Sequence, residues 1–131
     1  MRIYVAGKYC ERFFVKEIYK LLEERGHEIT VDWTNHNVYP NDSSPDILAT
    51  FADDDLRGVL EADLFIGDVL NQHEYKGLWV EMGIALGKGI PVWLIGENGD
   101  ACIFSNHHTV RKFKGISEML KALESPSGVE E

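Results

Sequence analysis

Apolar positions along this chain switch between short unbroken runs and a helical spacing, and the switches predict its elements. Arg2-Ile3-Tyr4-Val5-Ala6 reads as a short buried strand, followed by a turn at Gly7-Lys8-Tyr9. From Glu11 to Arg25, Phe14, Ile18, Leu21 and Leu22 recur on one side of a helix, and Gly26 stands where helices end in left-handed backbone. Glu28 to Trp33 predicts a second strand, Ile29 and Val31 alternating with polar neighbours, and residues 34–44 predict a loop rich in Asn, His, Pro and Asp. Ser44-Pro45 pairs a capping hydroxyl with proline at the first helical position. The helix it starts is expected to reach about Glu61, with Ile47, Leu48, Phe51, Leu56, Val59 and Leu60 as its buried side. Asp63 to Val69 predicts a third strand, Leu78 to Lys88 a helix ended by Gly89, and Pro91 to Ile95 a fourth strand. A turn at 96–100, a short fifth strand at 109–113 and a final helix at 117–123 complete the pattern.

Strands alternating with helices at this spacing imply βαβ units, whose parallel strands need helical crossovers. The expected fold is an α/β three-layer sandwich, Rossmann-like or flavodoxin-like, around a mostly parallel five-stranded sheet. Residues 1–124 form one domain in this reading, and 125–131 a frayed tail.

Charge and composition narrow the partners. A formal net charge of −9 over 131 residues argues against a nucleic-acid polymer, since phosphate neutralisation needs a basic face. Small nucleotides need only local donors and stay open. No apolar stretch approaches a membrane span and the start lacks a signal pattern, so a cytoplasmic protein is expected. Cys10 and Cys102 have no metal-type spacing, and neither His107-His108 nor the lone His27, His36 and His73 hold one on a single element. No metal and no cofactor are therefore expected. Asp53-Asp54-Asp55 fails as a metal cluster, because successive helical residues lie about 100° apart. A dinucleotide fingerprint, a P-loop and a Gly-x-Ser-x-Gly elbow are all missing from the chain.

The segment Gly77-Leu78-Trp79-Val80-Glu81-Met82-Gly83-Ile84-Ala85 carries the most specific chemistry. Leu78, Met82, Ala85 and Leu86 recur on one stripe able to face a sheet, whereas Glu81 falls off it, in or near the first turn. A carboxylate there points at the crevice beyond the carboxyl ends of the strands; the plain alternative is an acid favoured by the helix dipole. Asp55 precedes Leu56, Val59 and Leu60 and so lies near the inner edge of its helix. Gly7 either lets a ligand approach the backbone or is required by its turn, and Trp33 is either core or a flat surface for a base. Gly83 and Gly87, each costing about 1 kcal/mol in a helix, suggest close backbone packing or a crowded site.

Tyr4-Val5-Ala6-Gly7, Asp54-Asp55-Leu56-Arg57-Gly58, Ala62-Asp63-Leu64-Phe65-Ile66 and Gly77-x-x-x-Glu81-x-Gly83-x-Ala85, with Gly89-x-Pro91-Val92, occur in this order. Together they resemble the nucleoside 2-deoxyribosyltransferase superfamily, which includes base-exchanging transferases and small deoxynucleoside-monophosphate N-glycosidases. The resemblance implies cleavage or transfer at an N-glycosidic bond of a nucleoside or nucleotide. It makes Glu81 the nucleophile or anionic stabiliser at the anomeric carbon, Asp55 the acid that handles the leaving base, and Tyr4 the hydroxyl that orients the glutamate. Candidate substrate-binding residues are Gly7, Lys8, Trp33, Asp68 and Gly77, with Lys8 suited to a phosphate.

The chain departs from the family pattern around the glutamate. Trp79 stands where the best-known members have glycine, Tyr75 where they have a small polar or acidic residue, and the loop 70–76 is about two residues longer. Those departures bear on substrate choice. They motivate an alternative, a non-catalytic nucleotide-binding or sensing module; an NAD glycohydrolase would use a similar glutamate. The resemblance also implies a homo-oligomer, at least a dimer, joined partly through the Glu81 helix with Tyr75 and Trp79 as anchors. The segment 102–110 is a candidate to complete a neighbour's pocket.

Overall fold

The computed structural model describes residues 1–36, 44–71, 76–96 and 102–125. Five parallel strands, β1 (Arg2–Ala6), β2 (Glu28–Ile29), β3 (Leu64–Asp68), β4 (Val92–Ile95) and β5 (Val110–Phe113), form one sheet in the order β2-β1-β3-β4-β5. The helices are α1 (Arg12–Glu23), α2 (Pro45–Leu60), α3 (Lys76–Lys88) and α4 (Ile116–Glu124). β3 is buried at all five positions and β4 at all four, as parallel strands covered on both faces must be. The expected α/β sandwich is thus observed, with every strand parallel.

Strand alternation divides the side chains between two layers. Tyr4 and its neighbour Phe65, ring centroids 5.9 Å apart, lie on the face covered by α2 and α3. Ile3 and Val5 point to the opposite face, where Arg25 of the chain after α1 pairs with Glu124 of α4 at 3.0 Å. The order of the strands reverses between β1 and β3, which places a crevice beyond their carboxyl ends.

Several elements differ from the sequence pattern. β2 stops at Ile29, and Trp33–Asn35 turns into a short 3-10 helix capped by Asp32, whose carboxylate accepts the Thr34 N–H at 3.0 Å. Thr30 N–H still reaches the Ile3 carbonyl, but at the next ladder position the Trp33 indole N–H donates to the Val5 carbonyl at 2.6 Å. Tyr9–Glu11 is likewise 3-10, so α1 begins at Arg12 and buries Val15, Ile18, Tyr19 and Leu22, while Phe14 and Leu21 are only partly covered. Ser44 caps α2 as expected, its hydroxyl accepting the Ile47 N–H at 3.3 Å.

The buried side assigned to α2 is the larger correction. Only Gly58 and Val59 are buried on that helix, whereas Ile47, Leu48, Leu56 and Leu60 are each more than 40% exposed. The reason lies at Gly58. A Cβ there would sit 2.7 Å from Val31 Cγ2 and 3.0 Å from Tyr4 Cδ2, so α2 rests on the sheet through a bare backbone and its large apolar residues point elsewhere. Gly83 and Gly87 correct the opposite way: both are exposed, and an added Cβ would touch no described neighbour within 4 Å. No described helix is long and apolar enough to cross a membrane.

Candidate active site

Tyr4 and Glu81 meet under α2. Tyr4 is fully enclosed in the middle of β1, and its hydroxyl donates a short hydrogen bond to Glu81 Oε2. Glu81 is the sixth residue of α3, past its first turn, and is only 8% exposed. It therefore shares the inward side with Leu78, Met82 and Ala85, which corrects the expectation that it falls off that stripe. A hydrophobic pattern cannot register a carboxylate that is buried because a tyrosine satisfies it. Burial also rules out the plain helix-dipole reading, which needs only an exposed acid at the first turn.

The electrostatics follow from that burial. Desolvation raises the Glu81 pKa from 4.5 to about 8, with the Tyr4 hydrogen bond opposing and the charge of Asp55 adding to the rise. Asp55, half-buried three residues before Gly58, is raised to about 6 by its own burial and by neighbouring Asp54. Its Oδ1 is shielded from solvent and has no hydrogen-bond partner among the described residues. Burial thus raises both carboxyl groups, Glu81 further than Asp55, a perturbation of the kind found where acid and base roles are divided.

Of the other candidates, Gly7, Trp33 and Asp68 form a second group on the α1 side of the sheet edge. A Cβ at Gly7 would lie 3.0 Å from Val15 Cγ2, 3.5 Å from Trp33 Cζ2 and 3.6 Å from Asp68 Cβ. Gly7 has no left-handed backbone, so neither its turn nor a ligand is needed to explain it; α1 packing is. Trp33 is 7% exposed and anchored through its indole, and Asp68 Oδ1 accepts the Leu70 N–H at 3.2 Å. Lys8 and Gly77 are half-buried at the start of the 3-10 turn and in the first turn of α3. Tyr75 lies outside the described residues. One feature escaped the sequence reading: His36 stacks on Phe51 with centroids 4.2 Å apart and planes at 13°. Phe51 sits one helical turn before Asp55, on the same face of α2. The signal available was a histidine just after Trp33, read only as lacking a metal partner. Among the described residues no group of three or more His, Cys, Asp or Glu is placed to hold a metal ion.

The family model for nucleoside 2-deoxyribosyltransferase matches residues 3–117, which takes in all three of these side chains. The chain belongs to that family. Among solved structures, a 2-deoxyribosyltransferase from Bacillus psychrosaccharolyticus superposes with a TM-score of 0.74 at 19% identity, covering 91% of this chain and 90% of that one. A CMP N-glycosidase from Clostridium botulinum gives 0.61 at 24% identity, covering 95% and 98%. A conserved protein from Enterococcus faecalis gives 0.58 at 19% identity, covering 98% and 77%. At these identities the likeness is one of fold. No curated protein sequence matches the chain significantly.

Proposed function

We propose that this protein breaks or exchanges the N-glycosidic bond of a nucleoside or nucleotide, with Glu81 at the anomeric carbon. The observation that carries the reading is the buried Tyr4–Glu81 hydrogen bond in a chain of this family, with Glu81 proposed as the family's glutamate. Glycosidic cleavage develops oxocarbenium character, which a carboxylate held within a dry pocket stabilises or captures. Tyr4 fixes which Glu81 oxygen is free to attack. Asp55, kept partly protonated near neutrality by its raised pKa, hands the departing base a proton. Gly7, Lys8, Trp33, Asp68 and Gly77 are proposed to line the sugar, base or phosphate side. The setting proposed is the cytoplasm.

Incubation with a panel of deoxynucleosides and their monophosphates, with and without a second free base, tests the reading. Base release alone identifies a hydrolase, and exchange identifies a transferase. No free base released by the native chain, together with indifference to Glu81→Gln, would sink it. The half-burial of Trp79, two residues from Glu81, supports a second reading as a nucleotide sensor. Thermal stabilisation by nucleotides without turnover would select that reading. Release of nicotinamide from NAD would select a glycohydrolase.

The assembly proposed is a homodimer at least. Exposed Ile47, Leu48, Leu56 and Leu60 on α2 and Val80 on α3 support it, and Ile103 and Phe104, 80% and 59% exposed, offer the segment expected to reach a neighbour's pocket. Light scattering at micromolar concentration is expected to give a mass above one chain's 14.9 kDa; a clean monomer refutes the intersubunit pocket.

A further inference from the structure

Resting on the N-glycosidase reading, we propose that Glu11 selects nucleosides over their 5′-monophosphates, its carboxylate taking the end of the crevice where a 5′-phosphate would sit. β1 and β3 run side by side, Ala6 against Gly67, and the turns that follow them form two lips of the crevice beyond their carboxyl ends. The Asn71 side-chain amide, on the β3 lip, donates to Glu11 Oε1 on the β1 lip, 60 residues away in sequence. This bond joins one lip to the other. Gly7 and Asp68 stand just behind it in the chain, and a Cβ on Gly7 would lie 3.6 Å from Asp68 Cβ.

Glu11 is the N-cap residue of α1, yet its side chain does not cap the helix. The turn at the head of such a helix is where α/β sheets ordinarily hold phosphate, through main-chain N–H groups and the helix dipole. Here amides on both lips are already engaged. The Glu11 N–H donates to the Lys8 carbonyl at 2.8 Å, and the Leu70 N–H donates to Asp68 Oδ1 at 3.2 Å. The Arg12 guanidinium lies over the Tyr9 and Phe13 rings, 4.5 and 4.7 Å from their centroids, and donates to the Tyr9 carbonyl at 3.2 Å. Lys8 does bring positive charge to this turn, and the Glu11 carboxylate in the same turn offsets it.

The sugar connects this end of the crevice to the reacting bond. C1′ and C4′ flank the ring oxygen, so a sugar whose anomeric carbon meets Glu81 carries its 5′ carbon onward, past the end of β1, to the lips. A 5′-hydroxyl there donates to the Glu11 carboxylate, a group that accepts several hydrogen bonds at once. A 5′-phosphate brings about two negative charges to the same place and meets a carboxylate that Asn71 holds in position. The substrate class is the free nucleoside.

The test compares each deoxynucleoside of the panel with its own 5′-monophosphate, by kcat/KM for base release near pH 8, where a phosphomonoester with a second pKa of about 6 is a dianion. Glu11→Gln removes the charge and keeps an oxygen for Asn71. Glu17→Gln removes the same charge from the exposed side of α1. The native protein is expected to favour the nucleoside at least about tenfold, and Glu11→Gln to lower that ratio about tenfold, as loss of one close charge should. Glu17→Gln is expected to leave the ratio where it was, which separates a local effect from that of the net charge of −9. A native protein that takes both equally or prefers the monophosphate overturns this inference, even if a variant fails to fold. So does a ratio that Glu11→Gln leaves in place, or that both variants move alike. Each of these results leaves the N-glycosidase reading standing. No base released from any nucleoside or monophosphate overturns both.

Discussion

Replacing Glu81 with Gln should stabilise the protein while abolishing turnover, and the size of the gain should depend on pH in a calculable way. The folded chain raises the Glu81 pKa to about 8 from 4.5 in the unfolded chain, so it retains a proton that the unfolded chain releases. A raised pKa contributes stability that is complete below the unfolded value and is lost as pH climbs to the folded one. Between those limits the unfolded state gains about 1.4 kcal/mol per pH unit relative to the native state. Glutamine has no such proton to lose, and its side-chain oxygen still accepts from Tyr4. Linkage then gives Glu81→Gln an advantage of about 1 kcal/mol at pH 5, about 3 at pH 7 and about 5 at pH 9. Against a typical stability of about 5–15 kcal/mol these are large effects. Urea denaturation of both proteins at the three pH values measures them. An altered Tyr4 contact would offset all three differences equally, so the increase of about 4 kcal/mol from pH 5 to pH 9 is the diagnostic. A difference that stays flat with pH, or a variant that is less stable at pH 9, refutes the buried-acid description of Glu81.

Tyr4→Phe removes the donor whose bond holds the Glu81 pKa down, so the ascending limb of kcat/KM against pH should move up by about one unit with a roughly tenfold loss at pH 7; a limb that stays in place removes Tyr4 from the mechanism. Gly58→Ala places a Cβ 2.7 Å from Val31 Cγ2 and should lift α2 from the sheet. The expected cost is about 1–3 kcal/mol by denaturation, with a drop in kcat as Asp55 moves with its helix; an active, equally stable variant shows that the helix does not need the close approach.

The fold was legible because its punctuation is chemical. Ser44-Pro45 opens α2, and Gly26 and Gly89 close their helices with φ of +86° and +80°. Unbroken apolar runs mark β3 and β4 for the same reason. The misreadings share a cause: a pattern records what a residue is, whereas burial depends on what arrives opposite it. α2 carries apolar residues around more than one face, and Gly58, which the pattern passed over, decides which face touches the sheet. Gly83 and Gly87 looked like close-packing glycines, and the actual close approach lies one helix away. For the candidate site, helix position singled out Glu81 and Asp55, whereas Tyr4 and the roles of all three came from a resemblance to a family. Their burial, and the His36–Phe51 stack beside them, arise from long-range packing that no local spacing encodes.

The truncated β2 carries a consequence for how copies of this protein avoid one another. A sheet ending in a two-residue strand leaves most of β1 open along one side, a template on which a foreign strand could grow. The Trp33 indole forecloses that by occupying the Val5 carbonyl at 2.6 Å, where the next rung would form, and its ring lies against Gly7 just after the strand. The far margin carries Arg111 and Lys112 on β5, charges that discourage addition from that side. Whatever the exposed leucine and isoleucine of α2 meet, open-ended strand polymerisation along this margin is thereby disfavoured.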